Sequence, residues 1–207
     1  MSQDRFLSRL DWRFATKKFD PTRKIAELDL RQVLGAIRLA PTSNGLQPFH
    51  VIVIDDNDLR ARLRPSCFGQ AQITDASQLL VFCVRTDILK RIDEYVALAG
   101  GGDEAHRVRL AKSREAMRAG LGAKTEAEIM SWGAQQTFIA LGFALAACAE
   151  LGIDSCPIGG FRPHEVDALL GLPPELKSVV LLPIGYRLDG PAHPKIRFAE
   201  EDLFSFR

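Results

Sequence analysis

The sequence predicts a chain of mixed helix and strand, folded as one domain around a single buried helix. Three observations carry that reading. Residues 132–149 are apolar or small on almost every face, with Gln135 and Gln136 as the main polar interruption. A helix of that kind has to be buried or span a membrane. Residues 49–54, 79–84 and 178–184 are short, nearly continuous apolar runs, as covered strands are. Leu30, Val33, Leu34 and Ile37 repeat at i, i+3, i+4 and i+7, the spacing of an amphipathic helix.

The central helix has a defined start. Thr125-Glu126-Ala127-Glu128 is a capping box, in which hydroxyl and carboxylate satisfy each other's orphan amides. Its uninterrupted apolar part, 137–148, falls short of the about 20 residues a bilayer span needs. Ala140, Gly142, Ala144, Ala146 and Ala147 would let another backbone approach closely, so the helix is read as covered by its own domain on one side and by a second subunit on the other. It ends at Leu151-Gly152. A short strand then leads into Pro157-Ile158-Gly159-Gly160-Phe161, where adjacent glycines would offer amides to a flat ligand.

The remaining elements follow in order. Phe6, Leu7 and Leu10 share one face of a short opening helix. Residues 13–21 form a basic, aromatic loop closed by Pro21, either a solvated turn or an anion site using Arg13 and Lys17. The amphipathic helix ends near Ala40, which Pro41 biases away from helical geometry. A hydroxyl- and amide-rich loop, 41–48, precedes the first strand, where His50 reads as a core or edge residue. Asp55-Asp56-Asn57 opens a short helix, and 67–75 is a second amide-rich connection. Residues 87–124 are charged and helical, broken at Gly100-Gly101-Gly102, and read as surface helices or a lid. Pro163 and Gly171 bracket a short helix. Pro183 is expected at a sheet edge or bulge. The tail after Gly190 is too apolar, at Phe198, Leu203, Phe204 and Phe206, to be left in water.

With 207 residues, 46% hydrophobic and 26% charged, the composition suits one ordinary globular domain. A net charge of +1 gives no electrostatic case for nucleic acid or an anionic membrane as partner. Cys67, Cys83, Cys148 and Cys156 form no CxxC pair, and Met1 to Arg5 lack the apolar core of a secretory signal. A cytoplasmic protein with reduced thiols is the expectation. No GxGxxG follows a strand. Gly120 to Thr125 resembles a P-loop but carries Ala123 where a glycine belongs. His50, His106, His164 and His193 are scattered, so no metal site is read, and no GxSxG elbow is present. Cationic ends, amide-rich loops and a glycine pair remain, parts that suit a flat anionic cofactor.

At these residues the chain resembles the nitroreductase family of FMN-dependent NAD(P)H oxidoreductases. The resemblance runs through Arg13-Phe14-Ala15-Thr16-Lys17, Pro41-Thr42-Ser43 to Gln47-Pro48-Phe49, and Gly69-Gln70-Ala71-Gln72 before Asp75-Ala76-Ser77. It continues through Trp132 to Gln136, Pro157-Ile158-Gly159-Gly160-Phe161 and Lys195-Ile196-Arg197. It implies an α+β fold, a mainly antiparallel sheet surrounded by helices, in an intertwined homodimer. One domain spans 1–207, with a C-terminal arm, 190–207, crossing to the partner. It also implies FMN at the subunit seam, with Arg13, Lys195 and Arg197 on its phosphate and Lys17 near the N1/O2 edge. The amide of Gly159 or Gly160 would face N5. Thr42, Ser43, Gly45, Gln136 and Ile139 would come from the other chain. Phe14, Ala15, Pro41, Gln70, Gln72, Pro157 and Ile158 complete the implied contacts. Three positions depart from the family pattern: Ala15 for Ser, Gln72 for Lys and Gly159 for Glu.

The implied reaction takes hydride from NAD(P)H and passes two electrons to a nitroaromatic, quinone or related small-molecule acceptor, by ping-pong turnover. Ene reduction, dehalogenation or flavin fragmentation on the same fold, a dimeric flavin-binding protein without turnover, and a cofactor-free interaction module are the rival readings. Removing residues 191–207 should leave an unstable or monomeric protein by size-exclusion chromatography. A well-folded dimer after that truncation would refute the crossing arm.

Overall fold

A computed structural model describes residues 4–207. Helices α1 (Asp4–Trp12) and α2 (Glu27–Leu39) precede strand β1 (Phe49–Ile54), followed by α3 (Asn57–Leu63), α4 (Gln72–Asp75) and β2 (Gln78–Arg85). Next come α5 (Ile88–Ala99), α6 (Glu104–Gly122), the long α7 (Glu126–Leu151), β3 (Asp154–Ser155), α8 (Pro163–Leu169), β4 (Leu176–Gly185) and α9 (Glu200–Leu203). The strands form one antiparallel sheet in the order β1-β2-β4-β3. This is the α+β architecture that the sequence implied.

The sheet works as a partition because β2 is apolar on both faces. Leu79, Val81 and Cys83 enter one core with Phe19, Leu63, Ile73 and Val166, under α3, α4 and α8. Leu80 and Phe82 enter the other, with Val33 and Ile37 of α2 and Ala140, Ala144 and Cys148 of α7. A third cluster joins Leu46 to Ile88, Ile92, Met117 and Ile129 beneath α5 and α6. Each fully buried aliphatic side chain contributes about 1.5–3 kcal/mol relative to exposure. Burial also pushes the Cys83 and Cys148 thiols up to about 12, as expected of thiols acting as small core hydrophobes.

The local signals act as their chemistry dictates. Thr125 N donates to Glu128 Oε2 at 2.8 Å and Glu128 N returns to Thr125 Oγ1 at 3.3 Å, so α7 begins at its capping box. Gly152 ends it at φ 69°, while Ile153 N reaches back to Cys148 O at 2.8 Å. Ala40 is extended, as the residue before a proline should be. Small residues set the approach of α7 to the sheet. A Cβ on Gly133 would lie 2.5 Å from Val84 Cγ1.

Several details differ from expectation. Strand β1 is an edge, so cover is incomplete there: His50 and Val53 are exposed. The basic loop after α1 is not a solvated turn, since Ala15 bridges Ser155, Phe19 bridges Arg187, and both Thr16 and Phe19 are buried. The tail carries the short helix α9, yet Phe198, Phe204 and Phe206 remain exposed, the last almost wholly.

Pro183 lies neither at an edge nor at the β2–β4 bulge, which falls between Phe82 and Cys83. It sits in interior strand β4, opposite Cys156. Its carbonyl accepts from Cys156 N at 3.1 Å, but without an N–H it returns nothing. Pairing resumes where Ile158 N donates to Leu181 O at 2.8 Å. The missing rung ends β3 after two residues.

By length and composition α7 is apolar enough to cross a membrane; here one face packs on α2 and β2, and the other presents Phe138, Ile139 and Phe143. Gly133→Ala should lower the midpoint of chemical denaturation. The overpacking cost of roughly 1–3 kcal/mol exceeds the gain of about 0.5–1 kcal/mol from removing a helical glycine. Adding Val84→Ala should recover part of the loss, and an unchanged midpoint for the single variant would show that the contact yields freely.

Candidate functional site

The residues singled out from the sequence fall into two clusters, joined by no hydrogen bond or ion pair among the described residues. The first lies at the end of the sheet bearing β3. A cleft of about 450 Å³ there is lined by Trp12, Arg13, Phe14, Ala15, His193, Lys195 and Arg197, with Asp11 and Pro191 at its margin. Residues at the two ends of the chain thus meet, 182 positions apart in the case of Arg13 and Lys195.

The segment carrying Arg13 is pinned by a pair that the sequence did not single out. Arg187 N donates to Asp154 Oδ2 at 2.9 Å and Arg187 Nε to Asp154 Oδ1 at 2.5 Å. The Arg187 guanidinium lies 4.1 Å from the Trp12 ring centroid and 4.5 Å from that of Phe14. Thr16 N adds a bond to Ser155 O at 3.3 Å. Lys195 Nζ donates to Leu10 O at 2.7 Å and Asp11 O at 2.5 Å, which docks the tail against the end of α1.

Electrostatically the cleft carries more positive charge than it balances. Burial, then the neighbouring Arg197, pulls Arg13 below the ordinary arginine range. Burial, reinforced by Arg13 and Arg197 against the raising effect of Asp11, does the same for Lys195. Arg13 Nε is buried and meets no hydrogen-bond partner among the described residues. A desolvated guanidinium with a spare donor, beside two further cations, fits a phosphate-like anion.

Next to the cleft, Lys17 Nζ donates to Cys156 Sγ at 3.9 Å. Burial raises the Cys156 thiol, while Lys17 and the Gln72 side chain act in the opposite direction. Gln70 Nε2 bonds Cys67 O and Gly160 O, both at 2.9 Å, tying the amide-rich connection to the glycine loop. Gly159 and Gly160 are exposed, and neither amide donates a hydrogen bond among the described residues. Pro157 and Ile158 complete the loop, Ile158 being held to β4. The glycine pair therefore offers free donors to an open surface. No group of His, Cys, Asp or Glu that could hold a metal is found among the described residues.

The second cluster sits where the Pro41–Gly45 loop meets α7. Gln136 is buried, and its Oε1 accepts from Ser43 N at 2.8 Å. Thr42 Oγ1 accepts from Gln47 N at 2.9 Å. Ser43 and Gly45 are exposed, and Ile139 projects from α7, 39% exposed. Sequence reasoning missed Asp154, Arg187 and Trp12 in the first cluster and Cys156 as the neighbour of Lys17. Their roles come from contacts across the sheet end, for which no local pattern exists.

An antiparallel sheet wrapped by helices, with a three-cation cleft and a glycine loop of free amides at one end, defines an α+β protein equipped to hold an anionic group. Residues 10–186 match the Nitroreductase family, and the chain belongs to that family. It is 33% identical over 205 residues to a Staphylococcus epidermidis protein named "Putative NAD(P)H nitroreductase SERP2086", covering 94% of this chain and 93% of the relative. It is 32% identical over 213 residues to "Putative NAD(P)H nitroreductase YfkO" of Bacillus subtilis, covering 95% of each. An Exiguobacterium sibiricum nitroreductase-family structure solved in complex with FMN superposes with a TM-score of 0.86 at 21% identity, over 100% of this chain and 99% of that one.

Since Asp11 is the one carboxylate paired with the cations Arg13, Lys195 and Arg197 among the described residues, phosphate should stabilise the ligand-free protein. Millimolar inorganic phosphate is expected to raise the thermal midpoint by about 2–4 °C, corresponding to ~1 kcal/mol. Arg197→Ala should shrink that rise. Equal midpoints in phosphate and chloride at matched ionic strength would count against an anion site.

Proposed function

We propose that this protein is an FMN-dependent oxidoreductase. It takes a hydride from NAD(P)H and delivers two electrons to a nitroaromatic, quinone or related acceptor, alternating the two at one site. The observation that carries this reading is the buried, unpartnered Arg13 Nε, in a residue that lines one cleft with Lys195 and Arg197. Membership of the nitroreductase family and the NAD(P)H nitroreductase names of its relatives support it. Use of NAD(P)H as reductant supports a cytoplasmic location.

The residues present fit FMN, which when bound would supply a flavin ring that accepts hydride at one nitrogen and stores the two electrons. Arg13, Lys195 and Arg197 hold its phosphate. Lys17, kept at Cys156 Sγ, would supply a cation to the pyrimidine edge, where reduction deposits negative charge. Gln72 offers a neutral amide there, so the edge carries one positive charge where a second lysine would give two. Gly159 and Gly160 would have their free amides available to the ring.

Thr42, Ser43, Gly45, Gln136 and Ile139 act from a second copy of the chain. Phe138, Ile139 and Phe143 on α7 and Phe198, Phe204 and Phe206 in the tail are the apolar surface that such a homodimer would cover. The 190–207 arm, anchored by Lys195 at the end of α1, then crosses to the partner.

The visible spectrum of the purified protein tests this directly. A yellow protein whose flavin bands bleach on anaerobic NAD(P)H, and return with a nitroaromatic or quinone, is expected. Bound flavin that NAD(P)H does not bleach would leave a binding protein without turnover. A colourless protein that ignores added FMN would end the proposal.

A further inference from the structure

The loop of the second cluster is held in a conformation that asparagine and glycine tolerate but that Gln47 would not favour. Asn44 (φ 55°), Gly45 (φ 68°) and Gln47 (φ 45°) all occupy the left-handed region. Non-glycine residues persist there when their surroundings over-determine them. Gln136 holds one flank of the loop through Ser43 N. The other flank is held from α5, inside the charged stretch that no motif marked.

Arg91 Nε donates to Leu46 O at 2.8 Å, and Arg91 Nη2 to Gln47 O at 3.4 Å. Its third nitrogen, Nη1, donates to Glu94 Oε2 at 2.9 Å. Glu94 is fixed in turn by Arg85 at 3.1 and 3.3 Å, and Arg85 by Asp87 at 2.7 and 3.0 Å, which ties the group to the end of β2. One turn further along α5, Tyr95 backs the loop: a Cβ on Gly45 would lie 3.4 Å from its ring. A planar, forked side chain is needed to grip two successive carbonyls while keeping a carboxylate, and lysine lacks that geometry.

We propose that Arg91 is a positioning residue for the ligand-facing loop. By clamping the Leu46 and Gln47 carbonyls it presents Thr42, Ser43 and Gly45 in one conformation, so that the binding half of each site depends on α5 as well as on the loop's own bonds. The ligand concerned is FMN, so this inference rests on the flavin reading above, although the clamp can be measured without it.

The test compares Arg91→Ala, Arg91→Lys and Arg114→Ala. The last severs an exposed tie between α6 and Asp93 of α5 and leaves the loop untouched. FMN titration into deflavinated protein should show Arg91→Ala binding about ten- to a hundredfold more weakly, the range for losing hydrogen bonds from a charged donor. The visible circular dichroism of bound flavin should change with it. Arg91→Lys should fall between, and Arg114→Ala should match the wild type. In ligand-free protein, the amides of Gly45, Leu46 and Gln47 should exchange faster in Arg91→Ala.

Wild-type FMN affinity and wild-type exchange at those amides in Arg91→Ala would overturn the proposal. So would an equal loss in Arg114→Ala, which would mean general loosening of the helix pair. If Arg91→Ala does not fold, Arg91→Lys decides, and full wild-type behaviour there overturns it. If the wild type itself binds no FMN, the flavin reading fails, while the exchange rates still report on the clamp.

Discussion

The seating of α7 on the sheet is the constraint to which the other elements answer. Gly133 against Val84, and Ala140 and Ala144 among the residues of β2 and α2, allow an approach that larger side chains would block. The result is a fixed rod that carries Gln136 and Ile139 of the second cluster and leads the chain toward the first. Its N-terminal half grips the Pro41–Gly45 loop through Gln136, and its C-terminal turn at Gly152 aims the chain into β3 and the glycine loop. A shift of this one helix would move both clusters.

The sheet end is shaped by absences as much as by contacts. Because Pro183 has no N–H to give, the ladder skips a rung at Cys156; it closes once more at Ile158 and Leu181, and the chain then leaves the sheet with spare donors at Gly159 and Gly160. Ordinary pairing would have consumed backbone groups in this region. The same edge receives the segment 13–19, so that Lys17 arrives beside Cys156 and Arg13 beside the returning tail.

Charge is distributed unevenly over this frame. Arg187 is matched to Asp154, and Arg85 and Arg91 to Asp87 and Glu94, so that burial of these cations is compensated within the chain. Arg13 and Arg197 pair with no carboxylate among the described residues, Lys195 meets Asp11 at 3.6 Å, and both Arg13 and Lys195 are held below their ordinary ranges by burial. Paired guanidiniums hold the architecture together. The unpaired group is where an anion would gain most.

The sequence by itself determined what local chemistry can encode. The capping box started α7 and Gly152 stopped it, Pro41 ended α2, and the runs at 49–54, 79–84 and 178–184 became strands, because caps, prolines and apolar periodicity act within a few residues. The six ordered motifs were also legible, since each is a short string, and they led to the family. Tertiary structure alone decided how those strings combine. Only folding brings Lys195 to Leu10 and Asp11, sets Cys156 next to Lys17, buries Phe19, opposes Pro183 to Cys156 and places Arg91 on the Leu46 and Gln47 carbonyls. Contacts of that kind depend on register, helix approach and the return path of distant segments, and no run of neighbouring residues carries that information.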